Sequence, residues 1–154
     1  LVLLLSFAQT GVFFHLSNYF QVLLQKSPVE SALMLLPLTL SMFVFSILSG
    51  TLVNRFKVRV LIVAGTLLFS LALFLLSNTI APNLSIGNVL LPMICLGAGY
   101  SVANVPRMNA LLSSAPPALA GIASATNNAV IQLGNAMGVA VTVALVTTYG
   151  RNYY

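Results

Sequence analysis

Charge is what this chain lacks. Asp, Glu, Lys and Arg together make up 5% of its 154 residues, against about 25% in an average soluble domain. With 59% hydrophobic residues, it cannot supply the polar surface that a soluble fold of this size needs. The chain therefore reads as a membrane protein. Asp is absent, and Glu30, His15 and Cys95 are each the only residue of their kind. A paired-carboxylate site, a Ser-His-Asp triad and a two-histidine metal site each lack a required member. One cysteine forms neither an internal disulfide nor a thiolate cluster. No enzyme, metal or cofactor is expected. The net charge of +5 comes from six cations, too scattered to make a phosphate-tracking stripe, so no nucleic-acid partner is expected either. The sequence opens on Leu inside an apolar run, with no signal-peptide pattern, and reads as a fragment.

What is abundant is long apolar stretches. A membrane helix needs about 20 mostly apolar residues, and five runs qualify, near 1–24, 31–53, 60–77, 89–112 and 122–148. The breakers between them are QKSP, a basic stretch, NTIAPNLSIGN and SSAPPALAG, rich in the Pro and Gly that make turns. The expected fold is all-α, a polytopic helical membrane protein whose short links make successive helices antiparallel. The runs are too long and too uniform for β-barrel strands. Arg55, Lys57 and Arg59 crowd into five positions, and Arg107 falls near the same side of the membrane. Lys26 and Arg151 fall on the other, so the positive-inside rule places the basic stretch in the cytoplasm.

Several residues stand out against this background. Ser27, Pro28 and Glu30 in SPVE form a capping box at the start of the second span, which gives the sole acid a structural task at an aqueous helix end. The third span holds only Thr66 and Ser70 as polar side chains between Val60 and Leu76, and reads as a lipid-facing, peripheral helix. In the fifth span Asn128, Gln132 and Asn135 recur at i, i+4 and i+7 on one face, which Thr142 continues. Amides in hydrocarbon need partners or water, so this face either lines a wet cavity or serves as interhelical glue. About half a turn away, Gly134 and Gly138 match the GxxxG pattern, which lets another backbone approach. In the fourth span Tyr100, Asn104 and Arg107 share a face, and Pro106 is expected to bend the helix. Arg107 either snorkels to the cytoplasmic surface or closes a cavity against an anionic partner. The first span carries Gln9, His15 and Asn18 among polar groups spread around the helix. His15 is the one side chain at membrane depth able to titrate near neutral pH, and is either a packing residue or a proton or substrate contact.

Three segments resemble a known family. NYFQVLLQKSPVESALMLLPL resembles a YxQ…SPxxAGxxxLP signature of multidrug transporters in the major facilitator superfamily, in its fourteen-span drug:proton antiporter branch. GTLVNRFKVR resembles that superfamily's G-x-x-x-D-R-x-G-x-R loop. APPALAGIASATNNAVIQLGNAMGVAV resembles a P…AGxASxxxNxxxQLGxAxGxA helix. The resemblance covers all five runs in order. It implies five of the six helices of a C-terminal half, without the last helix and the N-terminal half.

The resemblance further implies proton-coupled multidrug efflux by alternating access in a bacterial cytoplasmic membrane. The partners would be the bilayer, the missing half, small amphipathic substrates and protons. It assigns Gly50, Asn54, Arg55 and Arg59 to a cytoplasmic gate loop. There the family's Asp is Asn54 and its second Gly is Lys57, so the implied latch is weaker. It also agrees with a substrate cavity drawn from Gln9, His15, Asn18, Tyr100, Asn104, Arg107, Asn128, Gln132 and Asn135. Two alternatives stay open: a facilitator for a sugar, metabolite or siderophore, and a scaffold subunit without transport.

Overall fold

A computed structural model describes residues 1–79 and 86–150. Five α-helices follow one another: α1 Val2–Asn18, α2 Pro28–Leu52, α3 Val58–Thr79, α4 Ile86–Ser114 and α5 Ala120–Gly150. No strand occurs among the described residues. Four segments are long and apolar enough to cross a membrane: Pro28–Leu52, Val58–Asn78, Val89–Ser114 and Ala120–Thr148. α1 has 17 residues and is continued by a five-residue π-helical turn, Tyr19–Leu23. Arg151 and the centre of the link between the third and fourth spans lie outside the described residues.

The chain divides into two compact units. One holds Leu1–Leu33 and the segment from Pro116 onward, and the other holds Met34–Ala115. In lipid there is no hydrophobic drive between helices, so each unit depends on close packing and interhelical hydrogen bonds.

In the first unit α1 packs on α5 in parallel, residue numbers rising together along the seam. A β-carbon on Gly134 would stand 2.7 Å from Leu3 O, and one on Gly138 would stand 2.5 Å from Phe7 O. Further along, a β-carbon on Gly11 would meet Thr142 Oγ1 at 3.1 Å. The missing side chains thus let two backbones touch. Thr142 belongs to this seam rather than to an open polar face, and its hydroxyl donates to Gly138 O at 2.8 Å. The outer side of α5, with Ile122, Leu133, Met137, Val141 and Leu145, is exposed.

The end of α1 is irregular. The Leu24 N–H reaches Tyr19 O at 3.3 Å and the Lys26 N–H reaches Phe20 O at 3.1 Å, bonds wider than the four-residue α step. Gln25 closes the turn at φ 47°, a left-handed conformation that few non-glycine residues adopt. The chain then enters α2 through the SPVE cap. The Glu30 N–H donates to Ser27 Oγ at 3.2 Å, and the Ser27 N–H donates to Glu30 Oε2 at 3.1 Å. Two orphan donors at the helix start are thereby satisfied reciprocally. Ser27→Ala is expected to cost about 1 kcal/mol, seen as a lower melting temperature of the full-length protein. Glu30→Gln should cost clearly less, because Gln can take the same place in the box. Equal losses for the two variants would mean that the carboxylate charge contributes as much as the Ser27 hydroxyl.

In the second unit α3 and α4 pack antiparallel. A β-carbon on Gly65 would collide with Ala103 N, and one on Gly99 would stand 2.5 Å from Phe69 N. Leu61, Phe69, Ala72 and Leu76 are buried, whereas Val63, Leu67, Leu71 and Phe74 are exposed. α3 is thus two-sided. One stripe is bare to the surroundings, and the opposite stripe is locked against α4. The packed side needs no polar side chain, because Gly65 and Gly99 let the two backbones meet. α2 joins α4 through serine hydroxyls: Ser41 Oγ donates to Ile94 O at 2.7 Å and Ser101 Oγ donates to Met42 O at 2.9 Å. A β-carbon on Gly97 would stand 2.6 Å from Leu38 O. Pro106 is fully buried inside α4, which continues past it to Ser114.

Candidate functional site

Two polar groups lie on the apolar helices, one in each unit. In the first, the Thr10 hydroxyl of α1 donates to Asn135 Oδ1 at 2.8 Å. The Asn135 amide nitrogen donates to Gln132 Oε1 at 3.1 Å. A linear array thus runs from α1 across to α5 and along it. Asn135 is half-buried, while Gln132 and Asn128 are exposed. Asn135 therefore acts in the interhelical seam, and the two amides nearer the start of α5 do not. Thr10 and Asn135 are separated by 125 residues. A double-mutant cycle with Thr10→Val and Asn135→Leu should return a coupling of about 0.6 kcal/mol, the average for hydrogen bonds inside membrane proteins. Unfolding in mixed micelles measures it, and strict additivity would refute the bond.

The other first-span candidates are dispersed. Gln9 is half-buried, as is Asn18, whose Nδ2 donates back to Phe14 O at 3.0 Å. His15 is exposed. Sequence reading missed Asn127, which is only 7% exposed. The signal was its spacing of seven from Gly134, which puts it on the packing face of α5.

In the second unit, Arg107 Nη2 donates to Asn104 Oδ1 at 2.6 Å. The two are three residues apart on α4, so the helix itself makes the pair. The Tyr100 ring, one turn earlier, lies 6.3 Å from the Phe69 ring of α3 at 53°. All three side chains of the expected face are half-buried.

The basic stretch forms the turn between α2 and α3. The Arg55 and Phe56 N–H groups both donate to Leu52 O at 3.0 Å, and the Val60 N–H donates to Lys57 O at 2.9 Å. The backbone is satisfied locally, so Asn54, Arg55, Lys57 and Arg59 all extend outward and exposed. A β-carbon on Gly50 would meet nothing within 4 Å. Packing inside this chain therefore gives no reason for glycine there, unlike Gly65, Gly99, Gly134 and Gly138.

Among the described residues no group of three His, Cys, Asp or Glu side chains converges as a metal site would require. What the helices define is a multi-pass helical protein of the cell membrane, with a few amides and charged side chains held on largely apolar spans. The chain belongs to the Major Facilitator Superfamily, whose family model matches residues 1–139. It is 33% identical to the tetracenomycin C resistance and export protein of Streptomyces glaucescens, over 96% of this chain and 27% of that one. It is 32% identical to the puromycin resistance protein pur8 of Streptomyces alboniger, over 85% of this chain and 27% of the relative. It is 26% identical to the multidrug efflux pump LfrA of Mycolicibacterium smegmatis, over 92% and 28% respectively. The chain thus spans a little over a quarter of the length of these relatives. No solved structure matches it.

Proposed function

We propose that the protein of which this chain is a part exports drugs by secondary active transport, driven by the proton gradient and operating by alternating access. The observation that carries this is the similarity of most of the chain to proteins named for drug resistance, export and multidrug efflux. In this reading Gln9, His15, Asn18, Asn128, Gln132 and Asn135 of the first unit contact substrate. Tyr100, Asn104 and Arg107 of the second do the same. Neutral amides and a phenol suit a loosely specified, partly apolar ligand. Gly50, Asn54, Arg55 and Arg59 form the cytoplasmic gate loop. Glu30, the only acid here, is engaged in a helix cap, so the proton-carrying carboxylate belongs to another part of the transporter. The bacterial cytoplasmic membrane is the proposed site of action.

Everted membrane vesicles bearing the full-length protein test the reading. An imposed pH gradient should drive accumulation of a fluorescent drug such as ethidium, and nigericin should abolish it. Accumulation that survives collapse of the gradient would reject proton coupling. No drug movement at all, across a panel of resistance compounds, would reject export.

A further inference from the structure

The amide array on α5 has a direction. Thr10 has one hydroxyl proton, and it is given to Asn135 Oδ1. The oxygen of Asn135 is thereby turned toward α1, and its nitrogen is left to donate to Gln132 Oε1. The carbonyl of Gln132 is therefore occupied from within the array, and its amino group is the outward end. Gln132 is exposed, and its Nε2 makes no hydrogen bond among the described residues. Asn128, one turn earlier on the same face, is exposed as well.

Depth gives this donor its meaning. Gln132 sits about 18 Å along α5 from Ala120, at 1.5 Å per residue, which is near the middle of a bilayer whose hydrocarbon is about 30 Å thick. Lipid ester oxygens lie at the interfaces, so the bilayer offers an N–H group nothing to bond at that level.

We propose that Gln132 Nε2 is a specificity-determining hydrogen-bond donor. It favours ligands that carry an uncharged acceptor oxygen (a carbonyl, quinone or ether) over lipophilic cations that carry none. The proposal rests on the export reading above and narrows its substrate class. Thr10 is a positioning residue, and Asn135 positions Gln132 in addition to the substrate contact given it above, because together they set which end of the Gln132 amide is presented. Gln132 adds one neutral hydrogen bond to the other contacts of the site, so the discrimination it supplies is modest and shape remains loosely specified.

The test compares two ligands on the full-length transporter in nanodiscs. Anthraquinone offers two acceptor oxygens and no charge. Tetraphenylphosphonium offers a charge and no acceptor. Gln132→Met keeps the side-chain length and removes the donor. The ratio of the anthraquinone Kd to the tetraphenylphosphonium Kd should rise about 3- to 10-fold, the worth of one neutral hydrogen bond.

Gln132→Glu supplies a second readout. Its protonated form regains an O–H donor, whereas its ionised form offers only acceptors. The anthraquinone Kd in that variant should therefore fall as pH falls, more steeply than in the parent. An unchanged ratio in Gln132→Met, or an anthraquinone Kd in Gln132→Glu no more dependent on pH than the parent's, overturns the proposal. Failure of the parent protein to export any drug in vesicles would reject the export reading. The donor is judged separately in nanodiscs, where a parent that does not bind anthraquinone overturns it.

Discussion

Gly138→Val is expected to cost the full-length transporter about 1–3 kcal/mol or more, the usual range for overpacking a well-filled interior. The atom it would strike is Phe7 O, 2.5 Å from the added β-carbon. That oxygen is part of the α1 backbone and cannot rotate away as a side-chain end would. Relief requires α1 to move off α5, and the Thr10–Asn135 hydrogen bond, which joins the same two helices, would stretch with it. Stability loss should therefore come with altered drug affinity if the array contacts substrate. Ala140→Val is the matched control, because Ala140 lies two residues along the same helix and is exposed. Melting temperatures of the two variants in one detergent decide the matter. Equal values would mean that the seam is looser than the structure has it.

Opposite signs are expected for two sets of glycines in the same kind of experiment. Gly65→Ala and Gly99→Ala should destabilise, because each β-carbon meets backbone of the partner helix, Ala103 in one case and Phe69 in the other. Losses of about 1–3 kcal/mol follow from overpacking. Gly50→Ala and Gly121→Ala should be neutral or stabilising by up to about 1 kcal/mol. Both lie inside helices with nothing within 4 Å of an added β-carbon, and alanine is the better helix former. The Gly50 variant is the more informative of that pair. If the gate-loop reading is right, it should melt higher and transport more slowly, separating a functional glycine from a packing one. A Gly50→Ala protein that melts higher and transports normally would leave that glycine without a role in the gate.

The five helices were legible because hydrocarbon imposes a length and a composition on anything that crosses it, and the breakers QKSP and SSAPPALAG mark where the chain is free to turn. The cap at Ser27 and Glu30 was legible because it is made by neighbours in sequence. So was the capacity of Gly134 and Gly138 for close approach, although the sequence does not say which helix approaches. The α3–α4 seam was not legible. Gly65 stands alone in α3, and its counterparts Gly99 and Ala103 come from another helix, so no spacing within one segment reveals the match. Asn135 shows the same limit. Its periodicity with Asn128 and Gln132 puts three amides on one face, but only the position of Thr10, far away in sequence, divides them into one that holds helices together and two that do not. The proposed roles in substrate contact and gating depend on residues beyond this chain, which no local pattern carries.

The π-helical turn at Tyr19–Leu23 bears on how this protein tolerates changes of length. Within Leu3–Gly11, loss of one residue would rotate everything beyond it by about 100° and break the register with α5. Inside the π turn the same deletion removes the surplus residue and leaves an ordinary α-helix. Gln25 and the SPVE cap then isolate α2 from the change. Natural variants of this protein that differ by a single inserted or deleted residue in the first span should therefore concentrate between Asn18 and Gln25.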